Sequence, residues 1–347
     1  MTQGMYRIGI VGASSLAGKE LSDALAESAL GASDFVLLDE DDAAGTMTAT
    51  GDEPAFIQRI DAESFAGMDF VFFTGSAGVT QRHWQSARRA GVSIIDMTYA
   101  LEREPSVLVR APWVMEALGA GGVGPNLETP AVVAAHPVAG MAGLVAARVA
   151  AKMDLRNVAA TVLEPASEYG RAAMDELHQQ TVNLLSFQNI PREEYDAQVA
   201  FNLLPALGTN AKVKLEQTER RIREEYAGLT IGTLPKLAVQ MVQAPVFHGY
   251  VVSMLVEVTT ETTVEAMEIA LAGEGVDLVA DESDPPSNLS ATGQDNVMVK
   301  VRGEAEAGSA GTRFWVWMAA DNLKLAARNA IACAQELRRL RPLGKVQ

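Results

Sequence analysis

Through the first third of the chain, short unbroken apolar runs alternate with stretches of helical periodicity. Residues 7–11 (RIGIV), 35–38 (FVLL), 70–73 (FVFF) and 93–96 (SIID) are continuous runs of the kind that strands buried on both faces produce. Between them, residues 19–28 put Leu21 and Leu25 on one helical face, and residues 80–90 form a second helical stretch. Strands alternating with helices predict a parallel, doubly wound sheet. A glycine-rich stretch at residues 119–125 is the expected boundary. Beyond it, helices are predicted at residues 140–152, 171–186 and 213–226, with a strand at 158–163. Further strands are expected at 239–246, 250–259, 297–302 and 313–318, a gathering that predicts a mixed or antiparallel sheet. Residues 281–294, with Pro285 and Pro286, are expected to be a surface loop, and residues 321–340 a last helix. No internal repeat is visible.

The length of 347 residues exceeds one ordinary core and predicts two domains. Hydrophobic residues make up 48% and charged residues 21%, as in globular proteins. No apolar run reaches the roughly 18 residues of a membrane span. The N-terminus enters a strand-like run at once, without the architecture of a signal peptide. The single cysteine, Cys333, excludes an internal disulfide framework and is expected in a reducing cytoplasm. A net charge of −16 argues against nucleic acid or an anionic membrane as the main partner.

One turn carries candidate chemistry. Gly9-Ile-Val-Gly12-Ala-Ser14-Ser15-Leu16-Ala-Gly18 joins the first strand to the first helix. Such a turn points backbone N–H groups at a phosphate: Gly12 permits the tight bend and Gly18 the close packing of helix on sheet. Where a middle glycine would admit a pyrophosphate, this chain has Ser15. The second strand ends in Asp39-Glu40-Asp41-Asp42. An acid there accepts from a ribose 2′-hydroxyl and four acids repel a 2′-phosphate, so Asp39 and Glu40 favour NAD over NADP.

The order and spacing of further motifs resemble those of the aspartate-semialdehyde dehydrogenase family over essentially the whole chain, and look closest to its Usg-type paralogues. After the glycine turn come Phe201-Asn202-Leu-Leu-Pro205, Glu219-Arg220-Arg221-Ile222, Gln243-Ala-Pro245-Val246 with Gly249, Asp295-Asn296-Val297, and Asp321-Asn322 at the last helix. The resemblance implies an N-terminal Rossmann-like domain over residues 1–130, completed by residues 321–347. It implies an α+β domain over residues 131–320 that forms a homodimer. It assigns Gly12, Ser14, Ser15, Leu16, Gly18, Asp39, Ser76 and Asn322 to the dinucleotide, and Glu164, Lys214, Arg221 and Gln243 to the substrate.

The family reaction uses a cysteine thiolate, which attacks an aldehyde, passes a hydride to the nicotinamide and is released by phosphate. The resemblance places that cysteine at the head of the long helix after the boundary, where the helix N-terminus lowers a thiol pKa. Here the stretch reads His136-Pro137-Val138-Ala139-Gly140-Met141, so Ala139 stands at the nucleophile position, or Val138 one residue earlier. The family glutamine aligns with Glu164, the arginine that grips a carboxylate with Gln243, and the base histidine with Tyr250. A neutral amide does not replace a bidentate guanidinium. Lys214 matches the family lysine. His136 and His248 are the histidines near the site; His248 precedes Tyr250 by two residues and shares its side if the strand is regular there. Cys333, flanked by Ala332 and Ala334, reads as a small core residue. The expectation is a homologue that has lost phosphorylating activity but kept the fold, the dimer and a possible dinucleotide site. The alternative is an NAD(P)-dependent oxidoreductase of altered chemistry with His136, His248 or Tyr250 as acid or base.

Overall fold

The computed structural model describes residues 6–31, 33–40, 43–50, 53–61, 63–119, 129, 131–280, 283–305 and 308–340. In chain order the first elements are β1 (Arg7–Val11), α1 (Leu16–Glu27), β2 (Asp34–Asp39), β3 (Met47–Thr50), β4 (Glu53–Phe56), β5 (Gln58–Arg59), β6 (Phe70–Phe73), α2 (Ala77–Arg89), β7 (Ser93–Asp96), β8 (Leu108–Arg110), α3 (Pro112–Ala117) and β9 (Val132–Ala134). Then come α4 (Pro137–Ala150), β10 (Leu155–Glu164), a 3-10 turn (Ala166–Tyr169), α5 (Arg171–Leu185), α6 (Leu215–Leu229), β11 (Leu237–Gln243) and β12 (Tyr250–Thr262). The chain closes with α7 (Val264–Leu271), β13 (Val276–Leu278), α8 (Asn288–Ala291), β14 (Val297–Gly303), β15 (Gly311–Ala320) and α9 (Asn322–Leu340). These fall into two compact units: residues 1–113, 120–135 and 326–347, and residues 114–119 and 136–325.

The first unit is a seven-stranded parallel sheet in the order β5-β2-β1-β6-β7-β9-β8. Strand alternation sorts its side chains to two faces. Ile8, Ile10, Phe70 and Phe72 pack with Leu21 and Leu25 of α1 and with Ala327, Ala330, Ile331, Ala334 and Leu337 of α9. Val71, Phe73 and Ile94 pack on the opposite side with Val79, Trp84 and Ala87 of α2. Because both faces are covered, the strands have no polar face, which is why they read as unbroken apolar runs. Polar contacts fasten α9 to β8. Arg110, buried, donates through Nε to Glu336 Oε2 at 3.0 Å and pairs through its terminal nitrogen with Oε1. Asn329 Nδ2 donates to the carbonyls of Arg110 at 3.0 Å and Ala135 at 3.3 Å.

The second unit is a six-stranded mixed sheet in the order β11-β10-β12-β15-β14-β13. β10 and β11 run parallel, with Glu164 opposite Gln243, while β12 is antiparallel to β10 and to β15. Helices α4, α6 and α7 pack against this sheet and one another. Trp315 and Trp317 of β15 line, with Lys300 and Arg302 of β14 and Ser253 of β12, a hollow of about 820 Å³.

Some elements depart from the sequence pattern for local reasons. Helix α4 begins at Pro137, three residues before the expected start, because His136 caps it and proline suits the first helical position. β11 stops at Gln243, two residues before Pro245, which has no N–H for a ladder. The stretch expected to be only a loop contains α8, which Ser287 and Ser290 close with a reciprocal capping box. Most of the expected boundary at residues 119–125 lies outside the described residues.

Candidate functional site

In the first unit the β1–α1 turn is built for close backbone approach. Gly12 has φ +86°, and a Cβ there would stand 2.3 Å from Gly75 N; a Cβ on Gly18 would stand 2.3 Å from Gly12 O. Ser15 caps α1, accepting from Gly18 N at 2.9 Å while its hydroxyl donates to Thr74 O at 3.0 Å. Ser15 thus ties the turn to the end of β6 rather than standing free for a ligand. The Asp39 carboxylate arrives at the same turn, accepting from Ser14 N at 2.9 Å and, through its other oxygen, from Glu40 N at 2.9 Å. Glu40 pairs with Arg82 of α2; Asp41 and Asp42 lie outside the described residues. Leu16 is half-buried in the first residue of α1, and Ser76, exposed, caps α2 by accepting from Val79 N at 3.3 Å. Cys333 belongs to this unit, fully buried among α9 contacts, and burial pushes its thiol up.

In the second unit a buried polar cluster forms at the head of α4. Val138 and Ala139 of its first turn are fully buried. His136 accepts from Val138 N through Nδ1 at 3.2 Å, so the helix is capped by an imidazole. Its backbone N–H donates to Glu225 Oε2 of α6 at 2.6 Å. An accepting Nδ1 leaves the ring proton on Nε2, which lies 3.1 Å from Tyr250 Oη and 3.5 Å from Glu168 Oε1. Burial acts to raise the Glu168 carboxyl, but hydrogen bonds from His136 and Tyr250, with the Arg221 charge, overcome it and hold it below the usual carboxylate range.

Glu164, at the end of β10, is fully buried. Burial first, then the neighbouring Glu168 charge, push its carboxyl well above the ordinary range. Its Oε1 accepts from Tyr169 Oη at 3.0 Å, and that hydroxyl also lies 3.0 Å from Thr218 Oγ1. Gln243, fully buried beside it, donates through Nε2 to the carbonyls of Glu164 at 3.1 Å and Ala244 at 3.2 Å. Asn322 accepts through Oδ1 from Gly249 N and Ser167 Oγ, both at 3.1 Å.

The structure therefore gathers His136, Glu164, Arg221, Gln243 and Tyr250 in one neighbourhood and leaves two candidates outside it. Lys214 is an exposed N-cap whose Nζ donates to Thr209 O at 3.3 Å. His248 is half-buried and makes no side-chain hydrogen bond among the described residues. Gly249 takes φ +84° and β12 starts only at Tyr250, so the regular alternation that would put His248 beside Tyr250 is lost. Glu168, Tyr169, Thr218 and Glu225 escaped sequence reasoning. Thr218, Arg221 and Glu225 recur at helical spacing along α6, which marks one face but not what it meets.

Opposite shifts of two neighbouring carboxyls have a measurable consequence. A carboxyl raised on folding stabilises the fold below its unfolded pKa and loses that contribution as pH rises through its folded value; the depressed Glu168 does the reverse, losing its contribution as pH falls. Glu164→Gln keeps the shape and removes the ionisation. Its unfolding midpoint is expected to gain on the parent as pH rises above the ordinary carboxylate range. A difference that stays flat or shrinks as pH rises contradicts a raised Glu164 carboxyl.

Two family models cover most of the chain. Residues 7–133 match the semialdehyde dehydrogenase NAD binding domain and residues 146–325 the semialdehyde dehydrogenase dimerisation domain. The chain belongs to the semialdehyde dehydrogenase family. A USG-1 protein homolog of Pseudomonas aeruginosa is 30% identical over 338 residues, covering 95% of this chain and 97% of the relative. An aspartate-semialdehyde dehydrogenase of Rickettsia typhi is 25% identical across 96% of this chain and 97% of its own length. Within the family the chain is of the Usg type. The structure of a probable aspartate-semialdehyde dehydrogenase from Pseudomonas aeruginosa superposes with a TM-score of 0.84 at 29% identity, covering 96% of this chain and 98% of that one. Aspartate semialdehyde dehydrogenase II of Vibrio cholerae shares the fold, with a TM-score of 0.83 at 22% identity and coverage of 97% and 99%. The two units thus have the semialdehyde dehydrogenase architecture, a Rossmann-like domain and a second domain built on a mixed sheet.

Proposed function

We propose that this chain is a homodimeric semialdehyde dehydrogenase homologue that no longer carries out phosphorylating aldehyde oxidation. The observation that carries this reading is the first turn of α4. Ala139, or Val138 one residue earlier, would stand at the family's nucleophile position; both are fully buried, and the helix N-terminus there is capped by His136. Neither side chain attacks a carbonyl. Gln243 offers no cationic fork to a substrate carboxylate, and Tyr250 is held by His136 and Glu168.

The β1–α1 turn fits a dinucleotide: a Cβ on Gly12 or Gly18 would collide with backbone, and Gly12, Ser14, Leu16 and Gly18 would line the phosphates. Asp39 brings a negative charge to this turn and favours NAD over NADP. The match to a dimerisation domain and the half-exposed Trp315 and exposed Trp317 beside a broad hollow support a homodimer. The single, buried cysteine suits a reducing cytoplasm; among the described residues no helix is long and apolar enough to cross a membrane.

The test is an initial-rate measurement on the purified chain with aspartate semialdehyde, phosphate and either NAD or NADP. No phosphate-dependent reduction above the blank is expected, and a measurable rate overturns the reading. The second reading is an oxidoreductase of altered chemistry; the linkage of Tyr250, His136 and Glu168 favours it, since such a chain can hold and pass a proton. Thermal unfolding with each dinucleotide bears on it: a bound dinucleotide at 100 times its Kd adds about 2.7 kcal/mol, and no shift with either sinks this second reading.

A further inference from the structure

The carboxyl ends of β2, β1 and β6 lie side by side in the first sheet, and the chain leaves them through Glu40, the turn at residues 12–15 and Ser76. In an open parallel sheet this edge is where ligands bind. The turn is tied to its neighbours on both sides. Gly12 N donates to Leu38 O of β2 at 2.9 Å, and Thr74 Oγ1, just past β6, donates to Gly12 O at 3.1 Å. Arg82, in the second turn of α2, spans the same edge. A Cβ on Gly78, at the head of that helix, would lie 3.4 Å from Arg82 Nη1, and Nη2 pairs with Glu40 Oε1. A cation from the β6 side thus meets an acid from the β2 side, with β1 between their strands.

The two acids at the end of β2 differ in what they can offer. Asp39 is buried, and its carboxylate ties down backbone: Oδ2 accepts from Ser14 N and Oδ1 from Glu40 N, both at 2.9 Å. Glu40 is half-exposed, Arg82 engages its Oε1, and no described residue bonds to its Oε2.

We propose that the Glu40–Arg82 pair sets the cofactor preference of this edge: Glu40 reads a ribose 2′-hydroxyl, and Arg82 is a 2′-phosphate receptor that Glu40 keeps occupied. This rests on the dinucleotide site proposed above and names what selects its ligand. NAD and NADP differ only at that ribose position. A carboxylate accepts from a hydroxyl but repels an ionised phosphate. A guanidinium matches phosphate with paired N–H donors, and here one arm of that fork is held by Glu40. Asp39 adds negative charge, yet it turns to a ligand only by releasing two backbone amides. The choice of cofactor therefore lies in an exposed ion pair. Removing the acid both ends the repulsion and frees the fork.

The experiment is calorimetric titration of the full chain with NAD and, separately, NADP. The ratio of the two affinities reports the ribose position alone, because the rest of the ligand is common to both. The parent is expected to bind NAD more tightly. Glu40→Ser is expected to shift the ratio toward NADP by about 10- to 100-fold, the worth of hydrogen bonds to a charged group. Adding Arg82→Met to that variant is expected to abolish most of the shift. Both side chains are about half exposed and surface ion pairs contribute little to stability, so the variants keep the fold. Asp41 and Asp42 are present in every variant, so their charge cancels from the comparison. A parent that prefers NADP, a ratio unmoved by Glu40→Ser, or a shift that survives Arg82→Met overturns the role of the pair and leaves the dinucleotide site standing. No binding of either ligand to the parent or the variants overturns the pair and the dinucleotide site together.

Discussion

Ala139→Cys is expected to leave the protein without measurable semialdehyde dehydrogenase activity. Removing a catalytic nucleophile from an enzyme that has every other part costs on the order of 10⁶ in rate, and restoring it to a site that lacks those parts recovers little of that. Three features of this structure stand in the way. The side chain at position 139 has no exposure, so neither aldehyde nor phosphate reaches it without movement of the surrounding core. The Val138 amide at the head of α4 is already bonded to the His136 imidazole, which removes a donor that would stabilise a thiolate. On the proposed reading, Gln243 and Tyr250 replace the clamp and the base and restore neither. Initial rates check the activity, and alkylation by iodoacetamide checks the burial. The folded variant is expected to resist labelling at both the introduced thiol and the buried Cys333, and to take up both labels after unfolding. Activity regained by this single substitution would show that the clamp and the base are dispensable, and with them much of the case for a lost reaction.

Arg110→Ala is expected to destabilise the first unit by about 3–5 kcal/mol, the typical cost of leaving one partner of a buried ion pair alone. Arg110 meets Glu336 through two nitrogens in a nearly closed environment, and its backbone carbonyl accepts from Asn329 Nδ2 at 3.0 Å and from Cys333 Sγ at 3.6 Å. One residue of β8 therefore meets three residues of α9, Asn329, Cys333 and Glu336. Without the guanidinium, the largely buried Glu336 carboxylate loses the ion pair that holds it and α9 loses one of its polar anchors. The paired substitution Arg110→Met with Glu336→Leu is expected to regain most of the loss, because well-packed apolar residues often replace a buried ion pair at no net cost. Chemical denaturation of the single and paired variants measures both. A loss below about 1 kcal/mol for Arg110→Ala would place this pair with surface ion pairs, which contribute little.

Much of this was legible along the chain, unevenly. β1, β6 and β7 announce themselves because a strand covered on both faces excludes polar residues from every position. The turn at Gly12 and Gly18 is visible because a positive φ and a backbone within 2.3 Å of the missing Cβ leave no alternative to glycine. The proposed changes at Ala139, Glu164, Gln243 and Tyr250 were read in the same way, from the family resemblance that the rest of the chain carries. His248 misled for the converse reason: its spacing from Tyr250 implies a shared face only on regular backbone, and Gly249 breaks that regularity.

What the tertiary structure alone decided is the company those residues keep. Glu168 and Tyr169 come from a 3-10 turn, Thr218, Arg221 and Glu225 from α6, and Tyr250 from the start of β12. No local pattern couples them: Tyr169 reaches Thr218 across 49 positions of sequence and Tyr250 reaches His136 across 114. Whether Glu164 is charged, whether the α4 terminus is open, and what Gln243 bonds to all depend on which groups share a water-free interior. Sequence by itself determined the lineage, the two-domain plan and the alanine at the head of α4, since periodicity, glycine geometry and residue identity are properties of the chain. Only the fold decided what surrounds that alanine, because burial and the distance between charges, which set protonation and polarity, exist only once the strands and helices have met.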